Sequence, residues 1–387
     1  MTEINANVAV VICNWNKKEY VINCIKSVLD QDYREIDIFV VDNASADGSP
    51  EAVEKEFGCR VRLLVNAENL GGSGGFNTGI REALKGDYSY IWLLDNDVVV
   101  DKSALGELVT FMEANENAGM AGSKLYFMTQ PGLVQEFGAW IDWDRAHVKP
   151  NKKYYSEAKD GVLTGIAEVD YVPACSVLVR ADAIRQCGLM DETNFIYWDD
   201  MEWGFRFNRH GYKVYAVASS RVWHNMGTAN KKNLLPTYYF WRNRIRFFKK
   251  YGDRDVLNTL INDLFTALFT CRVFDKDNTY NILMKAMIDG FNDTGGPVSL
   301  EPGRDISVDV PKDYLTSCSE EEKSRLEYKK VGHVILDAMK ADKNNRRLIY
   351  TDNYNNVLPA DLANSFLKEH EEEKERFINE NRERFYG

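Results

Sequence analysis

The first hundred residues alternate short apolar runs with stretches of helical spacing. The apolar runs are V-A-V-V-I-C from Val8, I-D-I-F-V-V-D from Ile36, V-R-L-L-V-N from Val61 and Y-I-W-L-L-D from Tyr90. Helical spacing falls between them, near residues 18–30, 50–57 and 75–85. Buried strands that alternate with helices are typical of βαβ units. The pattern therefore predicts an α/β fold with a mostly parallel central sheet flanked by helices.

The pattern changes twice further along the chain. Residues 123–180 are less regular and predict mixed sheet that completes the same domain, followed by helices near 181–187 and 199–210 and a strand through K-V-Y-A-V-A to V-W-H-N. From about residue 234 the spacing is helical, with further periodic stretches near 255–271 and 278–291 and two tail helices near 319–341 and 360–385. We therefore predict a domain over 1–230 and a helical C-terminal region over 231–387.

Each of the first four apolar runs ends in a polar residue. These residues are Asn14, Asp42, Asn66 and Asp95. Ligands of open α/β sheets bind at the carboxyl ends of the parallel strands, so the four side chains should converge on one edge of the sheet. Asp42 also precedes a helix start, where an acidic group can hydrogen-bond a ribose or a base edge.

Composition narrows the classes of function. The net charge of −11 argues against general nucleic-acid binding, because phosphate neutralisation needs a basic face. The seven cysteines are dispersed without a C-x-x-C pair, which suits reduced thiols in the cytoplasm. The N-terminus lacks a basic n-region, and no segment approaches the roughly 20 apolar residues of a membrane span. We expect a cytoplasmic protein that meets a membrane only from its surface.

The strand end Asp95-Asn96-Asp97 has two interpretations. Two carboxylates around one residue can offer hard oxygen ligands to Mg²⁺ or Mn²⁺, which complete their shells with water and substrate phosphates. The same letters also suit an Asx-type turn that closes a strand.

The stretch 66–80, N-A-E-N-L-G-G-S-G-G-F-N-T-G-I, crowds five glycines at the entry to a helix. Glycines permit a close backbone approach to a ligand and unusual φ values. The spacing is not G-x-G-x-x-G and G-K-[ST] is absent, which excludes a Walker-type nucleotide site.

The acidic helix start W-D-D-M-E-W and the later V-W-H-N also leave alternatives open. Asp199, Asp200 and Glu202 either serve a site or favour the macrodipole of the helix N-terminus. Glu202 also stands four residues before Arg206, at the spacing of a helical ion pair. His224 is either a metal ligand or a surface or core histidine. Trp198 and Trp203 either stack on sugar faces or belong to the core.

Taken together, these segments resemble the family 2 glycosyltransferases of GT-A fold, and the N-L-G-G-S-G-G-F-N-T-G-I segment looks most like their galactofuranosyl- and rhamnosyl-transferase branch. The resemblance covers residue 8 to about residue 228. It implies Asp200 as the catalytic base and Mn²⁺ or Mg²⁺ as the cofactor. By the same resemblance, the nucleotide-binding residues are Asn14, Asp42, Asn69, Gly75, Asn77 and Asp95, the metal ligands are Asp97, His224 and Asp95, and the acceptor-binding residues are Trp198, Asp199 and Glu202.

The implied function is metal-dependent, inverting sugar transfer from a UDP- or dTDP-sugar, with galactofuranose and rhamnose as the leading sugars. The expected acceptor is a hydroxyl of a cell-surface glycan or lipid-linked glycan, assembled at the cytoplasmic face of the membrane. The chemistry agrees, because a cation offsets charge on the leaving phosphate and an aspartate with a pKa near 3.9 is ionised at neutral pH. Two alternatives are a nucleotidyltransferase that makes a nucleotide sugar and an inactive protein that binds a nucleotide or glycan.

Two segments outside this region bear on partners. The basic, aromatic stretch 238–251 is either an interfacial helix that meets anionic lipid or a helix that packs its aromatic side chains and solvates its charges. The tail H-E-E-E-K-E-R-F-I-N-E-N-R-E-R-F favours a solvated helix, with homo-oligomer contacts as the alternative.

Overall fold

A computed structural model describes residues 6–225, 234–274, 279–300, 326–330, 347–351, 357–359 and 371–380. The chain divides into two compact units. The first contains Met1–Asp142, His147–Asn230 and Gly295–Pro297, and the second contains Trp143–Ala146, Lys231–Thr294 and Val298–Gly387.

The strands of the first unit are β1 (Val8–Asn14), β2 (Ile36–Asp42), β3 (Arg62–Val65), β4 (Tyr90–Asp95), β5 (Val98–Val100), β6 (Ala118–Phe127), β7 (Gln130–Glu136), β8 (Ala139–Asp142), β9 (His147–Pro150), β10 (Ile166–Val169), β11 (Ser176–Arg180) and β12 (Lys213–His224). Its helices are α1 (Lys18–Leu29), α2 (Ser49–Phe57), α3 (Gly71–Ala83), α4 (Ala104–Ala114), α5 (Glu157–Asp160), α6 (Ala181–Cys187) and α7 (Asp199–Arg209), with short 3-10 turns at Gly58–Arg60 and Glu192–Asn194.

The main sheet runs in the order β10-β12-β6-β11-β4-β1-β2-β3, with β5 paired to β12 and β7 paired to β6. The pairs among β1, β2, β3 and β4 are all parallel. Beyond β4 the pairing is mixed, because β11 is antiparallel to both of its neighbours and β6 is parallel to β12. The predicted α/β fold is confirmed, and the mixed part begins where the periodicity of the sequence becomes irregular.

Both faces of the sheet are covered by helices. In β1, Val8, Val10 and Ile12 face a core with α1, α2 and α4, whereas Ala9 and Val11 face a second core with α3, α6 and α7. A strand that is buried on both faces reads as a continuous apolar run, which explains why these strands were evident in the sequence. The pattern assigned no element to α4, although its buried residues follow helical spacing.

The helices of the second unit are α8 (Leu235–Tyr251), α9 (Arg254–Phe274) and α10 (Thr279–Phe291). Helix α8 is the basic, aromatic stretch, and its aromatic residues Tyr238, Tyr239, Phe247 and Phe248 are buried. Arg242 and Arg244 are each 1% exposed, so these charges are not solvated as the second interpretation supposed. Arg244 forms an ion pair of 2.7 Å with Asp263 of α9. These two arginines are therefore not available to lipid, whereas Lys250 of the same helix is exposed, and a membrane contact by this helix stays a prediction.

Short strands also occur near the C-terminus, at β13 (Leu326–Lys330), β14 (Arg347–Thr351) and β15 (Val357–Pro359), which form a three-stranded sheet. The predicted helix over 319–341 is wrong where β13 lies, because that segment pairs in parallel with β14. The predicted helix over 360–385 falls partly outside the described residues, and 371–380 are helical. In the part of the chain that the structure describes, none of the helices has the length and apolar character needed to cross a membrane.

Candidate active site

The polar residues at the ends of β1 and β2 form one hydrogen-bonded network. The register of the parallel pair sets Asn14 opposite Asp42. Asn14 Nδ2 donates to Asp42 Oδ1 at 2.9 Å, and the backbone N–H of Ser45 donates to Asp42 Oδ2 at 2.8 Å. Asn96 Nδ2 donates to Asn14 Oδ1 at 2.7 Å. Asn14 and Asp42 are each 1% exposed, so they fix the loops that follow their strands.

A second network begins at the residue after Asp42. Asn43 Nδ2 donates to the carbonyl oxygen of Gly71 at 2.7 Å and to Asn69 Oδ1 at 3.2 Å. Asn66 Nδ2 donates to Asn43 Oδ1 at 2.9 Å. The ends of β2 and β3 are therefore joined to the start of α3. Asn69 Oδ1 also accepts a hydrogen bond from the N–H of Gly71 at 2.9 Å, so it supports the start of α3. Its predicted role in nucleotide binding stays a prediction.

The turn Asp95-Asn96-Asp97 brings two carboxylates to the end of β12. Antiparallel pairing sets His224 opposite Val98, and the N–H of Asn225 donates to the carbonyl oxygen of Asp97 at 2.9 Å. His224 Nε2 lies 3.4 Å from Asp97 Oδ1 and 4.0 Å from Asp95 Oδ2. The three predicted metal ligands thus converge, although His224 lies 127 residues after Asp97 in the sequence.

The charges of this cluster shift one another's ionisation. Burial and the neighbouring charge of Asp97 raise the pKa of Asp95 to about 6. Burial alone would raise the pKa of Asp97, but the hydrogen bond and charge of His224 and the charge of Lys17 lower it. Burial alone would lower the pKa of His224, whereas its contacts with Asp97 and Asp95 raise it. The cluster is a site for positive charge.

Lys17 supplies part of that positive charge, and the sequence pattern did not single it out. Its Nζ lies 2.5 Å from Asp97 Oδ2, on the opposite oxygen from His224. The Lys17 side chain is 41% exposed whereas that of Asp97 is 6% exposed. A cation that bound Asp97 Oδ2 would therefore compete with Lys17 for that oxygen.

The three ligands fit a hard divalent cation. One ligand atom from each of Asp95, Asp97 and His224 lies within 4.8 Å of the others. Two carboxylates and one imidazole are a donor set that suits Mn²⁺ or Mg²⁺, with open positions left for water or phosphate. The low exposure of Asp97 beside the half-exposed Asp95 means that one side of such an ion would face solvent.

Asp199 and Asp200 begin α7 after a strained segment. Phe195, Tyr197 and Trp198 have φ values of 66°, 65° and 65°, in the left-handed region that costs side chains other than glycine about 1–3 kcal/mol each. Asp200 Oδ1 accepts from the N–H of Met201 at 2.8 Å. Burial, then the charges of Asp199 and Glu136, raise the pKa of Asp200 well above its usual range.

Glu136 is a further acid that the sequence pattern did not single out. It ends β7 and accepts a hydrogen bond from the hydroxyl of Tyr171. Burial raises the pKa of the Cys175 thiol, and the charges of Asp95, Glu136 and Asp200 raise it further. One buried thiol thus lies among both groups of acids, which places the cation cluster and the predicted base in one region of the first unit.

The predicted acceptor residues have different environments. Glu202 is 4% exposed and forms an ion pair of 2.9 Å with Arg206, the alternative that its helical spacing had left open. Arg206 in turn donates to the carbonyl oxygens of Cys187 and Leu189. Trp198 is 5% exposed and Trp203 is 1% exposed, so most of both rings is covered by protein. The acceptor roles of Trp198, Asp199 and Glu202 stay predictions, and the geometry favours a structural role for Glu202.

The glycines at the start of α3 allow close packing within the chain. A Cβ on Gly71, where φ is 75°, would lie 2.1 Å from the carbonyl oxygen of Phe195. A Cβ on Gly75 would lie 2.4 Å from the sulfur of Cys13. Asn77 is fully buried and donates to the carbonyl oxygen of Met190 and to Glu192, each at 2.9 Å. Gly75 and Asn77 therefore position α3, and their nucleotide-binding role stays a prediction.

The residues that sequence reasoning missed carried weak signals. Lys17 stands three residues after the polar strand end Asn14, at a position that the strand pattern does not mark. Gln135 and Glu136 end β7, which lies in the irregular stretch 123–180, and Tyr171 lies in a loop before β11. Pairing between distant strands brings these residues to the site, and no local spacing records it.

Comparison with known proteins adds the following findings. Residues 9–160 match the family described as "Glycosyl transferase family 2". Galactofuranosyltransferase GlfT2 of Mycolicibacterium smegmatis is 23% identical over 284 residues, which are 67% of this chain and 43% of that protein. Galactofuranosyltransferase GlfT1 of the same species is 28% identical over 246 residues, which are 61% of this chain and 75% of that protein. The chain therefore spans less than half the length of the GlfT2 relative.

A solved structure shows the same fold. The crystal structure of GalNAc-T7 with UDP, GalNAc and Mn²⁺ superposes with a TM-score of 0.54 at 15% identity, covering 76% of this chain and 59% of that one.

Proposed function

We propose that this protein transfers a sugar from a nucleoside-diphosphate sugar to a hydroxyl of a glycan, because residues 9–160 match the glycosyl transferase family 2. The observation that carries the proposal is the convergence of Asp95, Asp97 and His224 beside a second group of acids at Asp199 and Asp200. The first group has the donors for a cation that binds a diphosphate, and the second has a carboxylate that can accept a proton.

The cation would be Mn²⁺ or Mg²⁺, held by Asp95, Asp97 and His224. Bound there, it would offset the charge that grows on the departing diphosphate. GalNAc-T7, which shares the fold, was crystallised with Mn²⁺ and UDP. Lys17 lies beside the same carboxylate and can add positive charge for the phosphates once a cation takes its place at Asp97 Oδ2.

Asp200 would remove the proton from the acceptor hydroxyl. In a direct displacement the hydroxyl oxygen attacks the anomeric carbon as the bond to the diphosphate breaks, so the configuration at that carbon inverts. A pKa above the usual range makes Asp200 a stronger base when it is ionised. The raised pKa differs from the ordinary value near 3.9 on which the expectation of an ionised Asp200 rested, and the positive charge of a bound cation would favour the ionised form.

The donor is a UDP- or dTDP-sugar in this proposal, with galactofuranose favoured by the two relatives and rhamnose by the resemblance of the glycine-rich segment. The acceptor is a cell-surface glycan or a lipid-linked glycan. The hydrogen bonds of Asn14, Asp42 and Asn69 fix the loops at the edge of the sheet where the nucleotide would bind. We place the reaction in the first unit and assign the remainder of the chain, including the predicted region 231–387, to acceptor or oligomer contacts.

The proposal is tested by incubating the full chain with Mn²⁺ and a panel of nucleotide sugars. We expect one uridine- or thymidine-diphosphate sugar to raise the melting temperature only when Mn²⁺ is present, and the same donor to be consumed when a glycan acceptor is added. The anomeric configuration of the product, read by NMR, should be opposite to that of the donor. Stabilisation by nucleoside triphosphates with release of pyrophosphate would instead indicate a nucleotidyltransferase.

A further inference from the structure

Gln135 contacts the face of His224 that points away from the cation cluster. Its Oε1 lies 3.2 Å from His224 Nδ1, whereas His224 Nε2 is the ring nitrogen near Asp97 and Asp95. Gln135 is 3% exposed and the His224 side chain is 15% exposed. The two side chains thus meet in the protein interior, where an unpaired polar atom is costly.

A strand irregularity directs Gln135 to this position. In the pairing of β6 with β7, Leu125 is opposite Glu136 and the next residue, Tyr126, is opposite Val134. Gln135 therefore has no partner of its own in β6, as occurs at a β-bulge. In a regular strand Gln135 and Glu136 would face opposite sides of the sheet. The bulge lets Gln135 reach His224 while Glu136 lies near Asp200.

The chemistry of imidazole makes this contact relevant to metal binding. A neutral histidine carries one proton, and only the nitrogen without it has a lone pair for a cation. If Nδ1 carries the proton, it donates to Gln135 Oε1 and leaves the Nε2 lone pair toward Asp97. Metal-binding histidines commonly donate their other N–H to a carbonyl or carboxylate oxygen in this way.

We propose that Gln135 is a positioning residue whose Oε1 accepts a hydrogen bond from the Nδ1–H of His224 and so presents Nε2 to a divalent cation. This inference rests on the proposed metal site and deepens it by assigning the residue that selects the tautomer of its histidine ligand. Gln135 does not touch the cation, the substrate or the reacting atoms.

The test measures Mn²⁺ affinity of the full chain without nucleotide, by the electron paramagnetic resonance signal of free Mn²⁺. Gln135→Met keeps the length of the side chain and removes the acceptor, and we expect it to weaken Mn²⁺ binding about 10- to 100-fold. Gln135→Glu keeps an acceptor and should bind Mn²⁺ at least as tightly as the unchanged protein. Gln130→Met, at an exposed position of the same strand, is the matched control and should leave the affinity unchanged.

A second readout needs no change at Gln135. The protein has five histidines, so the ¹⁵N resonances of His224 can be assigned by their loss in His224→Ala. In protein loaded with diamagnetic Mg²⁺, we expect a His224 Nδ1–H resonance that exchanges slowly with water, because that proton is buried and donates to Gln135. This measurement decides the inference even if Gln135→Met does not fold.

The outcomes separate the inference from the metal site itself. Wild-type affinity in Gln135→Met, or a His224 Nδ1–H that exchanges rapidly with water in the Mg²⁺-loaded protein, would overturn the role of Gln135 while leaving the metal site standing. If the unchanged protein and His224→Ala bind Mn²⁺ equally weakly, the metal site is wrong and the role of Gln135 is wrong with it.

Discussion

The two halves of the main sheet contribute to the candidate site in different ways. In the parallel half, β1, β2 and β4 offer the residues at their carboxyl ends, which lie side by side because the strands run in the same direction. In the mixed half, β7 and β12 offer Gln135, Glu136 and His224, which reach the site through antiparallel pairing and a bulge. The parallel half therefore supplies a row of strand ends along one edge of the sheet. The mixed half adds side chains from strands that are distant in the sequence.

The two halves also differ in how far their polar side chains are buried and already engaged in hydrogen bonds. Asn14 and Asp42 are almost fully buried, and their polar atoms are engaged with each other and with the following loop. Asp95 is 38% exposed and lies next to Asp97 and His224. We infer that the parallel half mainly supplies shape and hydrogen-bonded support, whereas the ionisable groups that act in the proposed reaction lie at the junction of the halves and beyond it.

The largest effect should come from Asp200, in the mixed half. Asp200→Asn keeps the shape of the side chain and removes the base, so we expect transfer to fall by about 10²- to 10⁴-fold. Mn²⁺ affinity and donor binding, measured by calorimetry, should stay within a few-fold of the unchanged protein. Asp182→Asn is the matched control, since Asp182 is also an acid in the first turn of a helix and its side chain is 78% exposed.

Transfer rates close to those of the unchanged protein in Asp200→Asn, together with a large loss in Asp199→Asn, would assign the base to the other aspartate. The base would still lie in the mixed half, because both residues begin α7.

Removal of the cation ligand at the junction should have the next largest effect. Asp97 is the carboxylate that contacts both His224 and Lys17, so Asp97→Asn should weaken Mn²⁺ binding by about 100-fold, the upper end of what even a supporting residue can cost. Chelation of Mn²⁺ should abolish transfer in the unchanged protein. Equal Mn²⁺ affinity in Asp97→Asn and the unchanged protein would mean that the cation binds elsewhere. The cation site would then not lie at the junction of the two halves.

Much of the parallel half was predictable from the sequence because its signals are local. An apolar run followed by a polar residue identifies both a buried strand and its carboxyl end, so the order of residues alone places Asn14, Asp42 and Asp95 at one edge. Local signals are also incomplete, since glycines crowded before a helix indicate a close approach but do not identify the group that is approached. Gly71 and Gly75 approach Phe195 and Cys13.

The mixed half was harder to predict because its contacts are set by pairing between distant strands. His224 was selected through resemblance, and the antiparallel register with Val98 is what brings it to Asp97. Nothing local in V-Q-E shows that a bulge turns Gln135 toward a histidine 89 residues later. The ion pair of Glu202 with Arg206 is the contrary case, since a four-residue helical spacing did indicate it.

A pH-dependent effect on stability should follow at Asp199. Burial raises the pKa of Asp199 to about 6, from about 3.9 in an unfolded chain. The folded protein then holds the proton more tightly, so this group makes stability fall as the pH rises from about 4 to about 6. Asp199→Asn removes that loss and should raise the free energy of unfolding above pH 6 by about 3 kcal/mol.

Urea unfolding of both proteins at a series of pH values measures this difference. The gain in Asp199→Asn should grow between pH 4 and pH 6 and then stay level. A gain that is independent of pH would mean that Asp199 has the same proton affinity in the folded and unfolded chains.

The parallel half should respond to substitution mainly through stability. Asp42→Ala removes the acceptor for the buried Asn14 amide and for the N–H of Ser45, so we expect a loss of about 1–3 kcal/mol in the free energy of unfolding. Mn²⁺ affinity of the folded protein should change little. A loss of Mn²⁺ affinity as large as that of Asp97→Asn, with stability unchanged, would show that the strand-end network is part of the cation site.

The smallest effect should come from Lys17, the residue of the parallel half that touches the cluster. Its partly exposed ion pair with Asp97 is worth about 0.2–1 kcal/mol, so Lys17→Met should raise the affinity for free Mn²⁺ by no more than about five-fold, because a competitor is lost. Lys26→Met controls for the lost charge, since Lys26 has an ion pair of 2.7 Å with Glu56. If Lys17 adds positive charge for the phosphates, the same change should weaken donor binding measured with Mn²⁺ present. A fall in both affinities would show instead that Lys17 holds Asp97 in the orientation that the cation needs, and the parallel half would then share in building the cation site.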